Sequence, residues 1–243
     1  MFWISKKTVS YSEVWKDGFV DIHNHLLPGI DDGAKTLEDT LGMIEGMQAL
    51  GITEALATPH SYPGMWPNTK TTITEAFASV PHTFIRGCSS EYFTDGSLVD
   101  LMNNNELLPL QNNHLLIEFS MMSAPVSGLM DVLFALKLKG YQLILAHPER
   151  YLYWDKNLVM FEELIAFDLE FQLNALSLLG YYGDRCQKLS ELLLSENYYK
   201  YLGTDFHTLH DIHFTKNHTF SEKHLKKVML LVQANQQFSS NNL

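Results

Sequence analysis

The stretch DIHNHLLPGIDDG, residues 21–33, constrains this chain more than any other. An apolar lead-in runs into His23 and His25, and side chains two positions apart on a strand point to the same side. The two imidazoles therefore project together, as two ligands of one metal ion must. Asp31 and Asp32 follow in a loop rich in Pro and Gly that can fold a carboxylate back over the histidines. A lone His-x-His pair is weak evidence, so the case depends on whether the rest of the chain repeats the arrangement.

Composition narrows the class of protein. With 243 residues, of which 46% are hydrophobic, the chain can bury a sizeable core, and one domain over residues 19–238 behind an N-terminal extension, 1–18, is the simplest expectation. The net charge of −11 and a pI near 5.4 disfavour nucleic acid and anionic membranes as partners. If the substrate is a phosphate, something local must supply positive charge, and bound metal would do so.

Targeting and redox signals are absent from the sequence. Only two cysteines occur, Cys88 and Cys186, so a disulfide framework is not expected. The N-terminus is too polar for a signal peptide, and no apolar run reaches the roughly 18 residues of a membrane helix. We expect a cytoplasmic protein without a transmembrane segment. The polar tail from Gln236 to Leu243 is expected to be frayed.

Strand and helix patterns alternate about seven times. The predicted strands are 19–22, 52–58, 83–86, 114–118, 142–146, 169–173 and 199–202. The predicted helices are 36–50, 69–80, 97–104, 126–139, 158–166, 184–196 and 221–237, the first with an apolar face formed by Leu37, Leu41, Ile44, Met47 and Leu50. Several strands are continuous apolar runs, which suits parallel strands covered on both faces. The pattern predicts a β/α barrel or an open doubly wound sheet, and no G-x-G-x-x-G favours a dinucleotide fold.

Polar side chains fall at or just after the C-terminal ends of these strands. They are His23, His25, His60, Glu91, Glu118, His147, Asp205 and His207. Active sites of β/α barrels lie at that face, so distant parts of the chain would deliver these groups to one pocket. Each alone has an ordinary explanation, such as a strand cap, a surface histidine or a loop carboxylate. Together with Asp32 they have no common structural explanation that we can identify.

The chemistry of these side chains indicates the kind of metal. Nitrogen and oxygen ligands without thiolate suit manganese, iron or catalytic zinc, and nine ligands exceed what one ion needs, so two or three ions are expected. Three divalent ions carry about +6 and the four carboxylates offset about −4, which leaves a positive pocket for a phosphate. A metal-bridging hydroxide could attack phosphorus in line, and the guanidinium of Arg150 could grip phosphate oxygens. A surface salt bridge with Glu149 or Asp155 is the alternative role for Arg150.

Other phosphatase and hydrolase chemistries lack their sequence signals. A thiol phosphatase needs an arginine six positions after its cysteine, where this chain has Thr94 and Leu192. A Ser–His–Asp hydrolase lacks its G-x-S-x-G. Several loop aromatics could form a wall for a substrate ring or could be ordinary packing: Tyr62, Trp66, Tyr151, Tyr153 and Trp154.

Five motifs in this order, DIHNHLLPGIDDG, ATPH, LLIEFS, LAHPERY and GTDFH, resemble the PHP (polymerase and histidinol phosphatase) superfamily. More closely, they resemble its bacterial tyrosine-protein phosphatase branch, which is linked to capsular and exopolysaccharide synthesis. The resemblance covers roughly residues 19–235. It implies a distorted (β/α)7 TIM-like barrel with a trinuclear metal centre. Manganese is the metal that we expect there, with iron or zinc as alternatives. The resemblance also implies a phosphotyrosine-containing tail of a tyrosine autokinase as the substrate.

Carried over position by position, the resemblance implies a role for each candidate residue. His23, His25, Glu91 and Asp205 would hold one ion. Glu91 would bridge to a second ion held also by Glu118 and His147, and Asp32, His60 and His207 would hold the third. Arg150 would bind the phosphate, and Asp205 and His207 are placed with it among the catalytic residues. The chain departs from the pattern at Ile212, near which some members carry a second phosphate-binding arginine.

The leading hypothesis is a metal-dependent phosphotyrosine-protein phosphatase that uses metal-bound hydroxide. Two alternatives stay open: a small-molecule phosphoesterase such as histidinol phosphatase, and a non-catalytic scaffold that binds phosphotyrosine.

Overall fold

The computed structural model of the chain describes residues 7–125 and 127–240, and has a mixed α/β fold with parallel sheets. The strands are β1 (Thr8–Val9), β2 (Phe19–Asp21), β3 (Ile52–Ala57), β4 (His60–Ser61), β5 (Ile85–Cys88), β6 (Glu91–Phe93), β7 (His114–Glu118), β8 (Gln142–Ala146), β9 (Glu170–Asn174), β10 (Tyr199–Gly203) and β11 (Phe220–Ser221). The helices are α1 (Tyr11–Trp15), α2 (Leu37–Ala49), α3 (Lys70–Ala78), α4 (Gly96–Asn103), α5 (Leu129–Leu138), α6 (Val159–Ala166), α7 (Ala175–Leu178), α8 (Asp184–Ser195), α9 (Leu209–Asn217) and α10 (Leu225–Asn235).

The parallel strands form two sheets. One has six strands in the order β10-β9-β8-β7-β6-β4, and the other has three in the order β2-β3-β5. Because every pairing in both sheets is parallel, the C-terminal ends of the strands within each sheet lie along one edge. Those edges carry the polar residues that the sequence places after the strands. A short antiparallel pair, β1 with β11, lies apart from them.

Helix α2 begins where its capping residues predict. The Thr36 side chain accepts from the backbone N–H of Asp39, and the Asp39 carboxylate accepts from the N–H of Thr36. The predicted apolar face is wrong in part, because Leu37 and Leu41 are 41% and 45% exposed. The face that packs inward is centred on Thr40, Met43, Ile44 and Met47.

The C-terminal tail is not frayed over the residues described. Phe238 is fully buried, and its ring lies edge-on to His114 and Tyr201 at 5.2 and 5.3 Å between centroids. The chain after it is also fixed, since Ser239 Oγ and the Ser240 N–H both donate to Glu54. The expectation of fraying from Gln236 is therefore wrong up to residue 240. It rested on polarity alone, and one aromatic residue outweighs its polar neighbours.

Helix α1, in the N-terminal segment ahead of the predicted domain, also packs into the core. Tyr11 and Trp15 of α1 are fully buried, and Trp15 stacks on Phe19 at 4.9 Å. The start of the fourth predicted helix, Val126, lies outside the described residues, and α5 is observed from Leu129. Within the part of the chain described, no helix has the length and apolar character of a membrane span.

Candidate metal centre

The structure brings the nine residues with predicted ligand roles into one region. Three groups of side chains each have ligand atoms within 4.8 Å of one another: His23, His25, Glu91 and Asp205; His25, Asp32, His60 and His207; and His60, Glu91 and Glu118. Each group shares a residue with each of the others. His147 joins through Glu91, to which its Nε2 lies at 2.8 Å. In the third group His60 stands where the resemblance implies His147.

The spacing of donor atoms is that of ligands around a common ion. His23 Nε2 lies 3.3 Å from Asp205 Oδ1 and 3.2 Å from Glu91 Oε2, and His25 Nε2 lies 3.2 Å from Asp205 Oδ1. Two ligands bound at about 2.1 Å and separated by about 90–110° lie about 3.0–3.4 Å apart. The buried donors therefore have the mutual distances that metal coordination requires.

Several buried donor atoms in this cluster have no hydrogen-bond partner among the described residues. They are Nε2 of His23, Nε2 of His25, Nδ1 of His60, Nδ1 of His147 and Oε2 of Glu91. A buried polar atom without a partner costs free energy, and native structures contain few of them. Their concentration at one point means that the residues fit a divalent metal centre.

In two of the candidate ligand histidines, His23 and His25, the second ring nitrogen is occupied by an orienting group. His25 Nδ1 lies 2.8 Å from Asp31 Oδ2, and His23 Nδ1 lies 2.8 Å from Gln172 Oε1. Because each acceptor takes the proton on Nδ1, the Nε2 lone pair is left for a cation, as in carboxylate–histidine–metal arrangements. Asp31 also accepts from the backbone N–H groups of Gly33 and His60, which fixes the loop.

Two glycines allow the chain to approach these histidines closely. A Cβ on Gly33 would lie 2.1 Å from the carbonyl oxygen of His25, and a Cβ on Gly203 would lie 2.7 Å from the Cβ of His23. Neither position can accept a side chain without moving a candidate ligand. Gly33, which ends the DDG of the opening motif, is therefore a glycine because any side chain there would clash with His25.

Two candidate ligands have left-handed backbone conformations, His147 with φ +36° and Asp205 with φ +55°. Such values are uncommon outside glycine and are concentrated at functional sites. Each residue stands just after the end of its strand, β8 or β10, where the chain turns across the sheet edge. The strained turn directs these side chains into the cluster.

Charges in the cluster are strongly coupled. Burial alone would lower the pKa of His25, but the carboxylates of Asp31 and Asp205 raise it to about 10. Burial alone would raise the pKa of Glu91, but His23 and His60 hold it well below its usual value. Burial lowers the pKa of His147 to about 4, so this imidazole is neutral and able to bind a metal at neutral pH. The neighbouring imidazoles thus favour the ionised form of Glu91 at the centre of the cluster.

The profile of a known family matches most of the chain. The family is described as capsular polysaccharide synthesis, CpsB/CapC, and its match runs over residues 19–229. The chain belongs to this family.

Relatives within the CpsB/CapC family carry phosphatase names. The chain is 27% identical over 215 residues to a protein of Staphylococcus aureus named putative tyrosine-protein phosphatase CapC, a match that covers 85% of this chain and 84% of the relative. It is also 27% identical over 198 residues to the tyrosine-protein phosphatase YwqE of Bacillus subtilis, covering 78% of each. Its fold is similar to a crystal structure from work on YwqE of Bacillus subtilis and CpsB of Streptococcus pneumoniae, which are described as unique metal-dependent tyrosine phosphatases. That match has a TM-score of 0.73 and 26% identity, and covers 91% of this chain and 88% of that one.

A pocket of about 250 Å³ opens onto the cluster in this CpsB/CapC family member. Arg150 is the only lysine or arginine among the described residues that line it. Its Nη1 donates to Asp205 Oδ2 at 2.8 Å, and its guanidinium lies over the ring of Tyr182 at 4.3 Å.

The alternative role of Arg150, a surface salt bridge with Glu149 or Asp155, is wrong. Asp155 is bound by Arg185, and Glu149 accepts from Tyr199 and from the backbone of Asn174. Ile212 is buried against Gly46 of α2 and does not line this pocket.

The loop aromatics divide into two kinds. Trp66 and Tyr62 line the pocket, where Trp66 stacks on His60 at 4.6 Å and Tyr62 stacks on Phe93 at 3.9 Å. Tyr151 is instead a buried anchor whose hydroxyl accepts from the Phe119 N–H and donates to the Ala146 carbonyl. Trp154 is 7% exposed, and Tyr153 donates to the carbonyl of Ser120.

Four residues with a place in the site were not predicted from sequence: Asp31 as the partner of His25, Gln172, Asn174 and Tyr182. Gln172 and Asn174 alternate with the apolar residues of β9, a pattern typical of a solvent-facing side, yet both are fully buried. Asn174 Nδ2 lies 2.8 Å from Asp205 Oδ2 and 3.2 Å from the Tyr182 hydroxyl. Tyr182 also gave no signal, since tyrosine in a glycine-flanked loop is ordinary.

Proposed function

We propose that this chain is a metal-dependent protein-tyrosine phosphatase of capsular or exopolysaccharide synthesis. The observation that carries the proposal is the meeting of buried, unpartnered metal donors with the guanidinium of Arg150 in one pocket. The names of its CpsB/CapC relatives support the same reaction.

The proposed centre takes two or three divalent ions. The ligands are the nine residues of the sequence prediction: His23, His25, Asp32, His60, Glu91, Glu118, His147, Asp205 and His207. Manganese suits this mixture of imidazole and carboxylate best, with iron or zinc as alternatives. When bound, the ions would supply positive charge to phosphate oxygens and would acidify a water molecule.

Arg150 is proposed to orient the phosphate. Its side chain is 26% exposed while its partner Asp205 is 1% exposed, so the guanidinium reaches from the buried cluster into the pocket. Asp205 Oδ2 takes one of its N–H donors and leaves the others for phosphate oxygens. In this proposal Asp205 binds the metal and also holds Arg150 in position. His207, whose Nδ1 hydrogen-bonds to the Asp205 carbonyl, is held with its Nε2 facing Asp32 at 3.4 Å.

The shape of the pocket favours a peptide over a small metabolite. Its rim includes Met65 and Met122, which are 59% and 92% exposed and could contact a polypeptide lying across the opening. The aromatic pair Tyr62 and Trp66 offers apolar surface beside a phosphorylated ring. We propose a phosphotyrosine-containing tail of a bacterial tyrosine autokinase as the substrate.

We also propose that the two parallel sheets close into a distorted (β/α)7 barrel within residues 19–238. Strands β3 and β4 are separated only by Thr58-Pro59, and β5 and β6 only by Ser89-Ser90, so each pair acts as one bent strand running through both sheets. Across the other gap, the Asp205 N–H donates to the His23 carbonyl and the His25 N–H to the Phe206 carbonyl. These bonds link β10 to β2 beside the candidate ligands.

Phosphate release in the presence of Mn²⁺ tests the function. The substrates are a phosphotyrosyl peptide, the phosphoseryl peptide of the same sequence, and histidinol phosphate. We expect tyrosine-selective release that falls about 100-fold or more in His147→Ala, since even outer partners of metal ligands are worth 10–100-fold. His213→Ala, at an exposed position outside the cluster, is the matched control.

The other outcomes separate the alternatives. Selective release from histidinol phosphate would make the protein a small-molecule phosphoesterase. No release from any substrate by protein that retains its metal would leave a non-catalytic phosphotyrosine-binding scaffold.

A further inference from the structure

A second cavity adjoins the pocket that contains the candidate ligands. It has a volume of about 410 Å³, and both cavities are lined by Phe93, Phe119 and Ser120. Phe93 lies two residues after Glu91 on β6, and Phe119 directly follows Glu118 at the end of β7. The strand ends that supply two candidate ligands therefore also build the wall between the cavities.

The lining of this second cavity is chiefly apolar. Beside the two phenylalanines it includes Leu129 and Val132 of α5. Among the described residues that line it there is no lysine, arginine or histidine. Its one carboxylate, Asp95, already accepts from the N–H and the hydroxyl of Ser97 at the start of α4. The cavity therefore suits neither a second phosphate nor a cation, and suits an uncharged apolar group.

We propose that this cavity receives a large apolar side chain that flanks the phosphotyrosine in the substrate. The inference rests on the proposed function and deepens it by naming a sequence preference. Because Phe93, Phe119 and Ser120 line both cavities, the cavities are adjacent. An extended peptide advances about 3.3 Å per residue, so a few residues bridge them. A phosphate ester without flanking residues would leave the second cavity empty.

The test compares two phosphotyrosyl peptides of equal length and charge. One has Leu and Phe beside the phosphotyrosine and the other has Ser and Gly, and p-nitrophenyl phosphate serves as a substrate without neighbours. With Mn²⁺-loaded protein we expect kcat/KM to be about tenfold or more higher for the apolar peptide, since an apolar side chain gains that much from burial.

Two substitutions of the same kind locate the effect. Val132→Phe fills the cavity from α5 and is expected to bring the ratio of the two peptides close to one. Val159→Phe makes the same change at a position that is 55% exposed on α6, outside both cavities, and should keep the wild-type ratio. Val132→Ala, which enlarges the cavity, should keep a preference for the apolar peptide and serves if Val132→Phe does not fold.

The other possible results separate the apolar subsite, its location and the phosphatase function. Equal kcat/KM for the two peptides in the wild-type protein would overturn the apolar subsite while leaving phosphatase function intact. A wild-type preference that survives unchanged in folded Val132→Phe would overturn its location. If neither peptide nor p-nitrophenyl phosphate is hydrolysed, the proposed function itself fails, and the subsite with it.

Discussion

Arg150 is held between a buried carboxylate and an aromatic ring. Asp205 accepts from one guanidinium nitrogen, and Tyr182 lies flat enough against the group for a cation–π contact at 4.3 Å. Asn174 connects the two supports, because its amide nitrogen contacts both the Asp205 carboxylate and the Tyr182 hydroxyl. The geometry of a single arginine thus depends on three other side chains.

Removing the ring of Tyr182 should release Arg150. In Tyr182→Leu we expect the KM for a phosphotyrosyl peptide to rise about tenfold with a smaller change in kcat, because the metal ligands are untouched and a desolvated cation–π contact is worth roughly 1–2 kcal/mol. Steady-state kinetics with Mn²⁺ measures both constants. Tyr182→Phe keeps the ring and should stay within about twofold of the wild type. Equal losses in the two variants would assign the effect to the hydroxyl and not to the ring.

The thiols of the two cysteines, Cys88 and Cys186, are expected to be unreactive at neutral pH. Burial raises the pKa of the Cys88 thiol to about 11 and that of Cys186 to about 12, so almost no thiolate exists at neutral pH. Treatment with iodoacetamide at pH 7.5 should leave phosphotyrosine hydrolysis unchanged, and Cys88→Ser should keep most of it. Rapid inactivation by the reagent, or complete loss in the variant, would point to a thiol nucleophile and contradict the metal-dependent chemistry.

At the scale of secondary-structure elements, the C-terminal segment packs into the core between the parallel strands. Phe238 packs with Val20, Leu116 and Ile144, one from each of three parallel strands. Asn235, at the end of α10, donates to the carbonyl groups of Val20 and Leu202, which lie in different sheets. The C-terminal segment therefore ties the two sheets together.

Truncation of the Phe238 side chain should destabilise the whole protein. We expect Phe238→Ala to lower the free energy of unfolding by about 3–5 kcal/mol, because the ring is fully buried and leaves a cavity. Phe134→Ala, at a position 54% exposed on α5, is the matched control and should change it by less than about 0.5 kcal/mol. Urea denaturation measures both. A Phe238→Ala protein as stable as the control would mean that the tail is dispensable.

Much of the architecture was predictable from the alternation of apolar strands and amphipathic helices. Strands β7 and β8 have the predicted bounds, and the candidate ligands were found because parallel strands deliver their C-terminal ends to one edge. Helix α9 was missed, because LHDIHFTKN has only a weak helical periodicity and is fixed by Asp211 at its N-terminus. Phe238 was missed because nothing in QQFSSNN distinguishes a buried tail from an exposed one.

The orienting partners mark the limit of sequence reasoning about the site. Gln172 lies 149 positions from His23 in the chain, and only the pairing of strands brings the two side chains together. Such a contact has no local signal, because Gln172 lies in a strand that alternates polar and apolar residues. The ligands themselves have a signal because metal chemistry requires particular residue types at particular strand positions.

At the scale of the whole molecule, an acidic chain brings four carboxylates together in the candidate metal centre. The net charge is −11, and Glu91, Glu118, Asp205 and Asp32 meet within one cluster. Burial and the neighbouring Glu91 raise the pKa of Glu118, which shows that these groups repel one another. Divalent ions would convert this repulsion into attraction, so folding and metal binding should be linked.

Metal removal should therefore lower thermal stability as well as activity. Mn²⁺ at about 100 times its dissociation constant stabilises the native state by about 2.7 kcal/mol, which corresponds to a rise in Tm of roughly 5–10 °C for a chain of this size. Scanning calorimetry of protein treated with a chelator, with and without added Mn²⁺, measures the shift. His147→Ala should reduce the shift, because His147 contacts Glu91 in the cluster, and His213→Ala should keep it, because His213 is exposed and outside the cluster. A Tm that does not respond to Mn²⁺ would mean that the buried donors are satisfied by protons alone, and the metal centre would have to be abandoned.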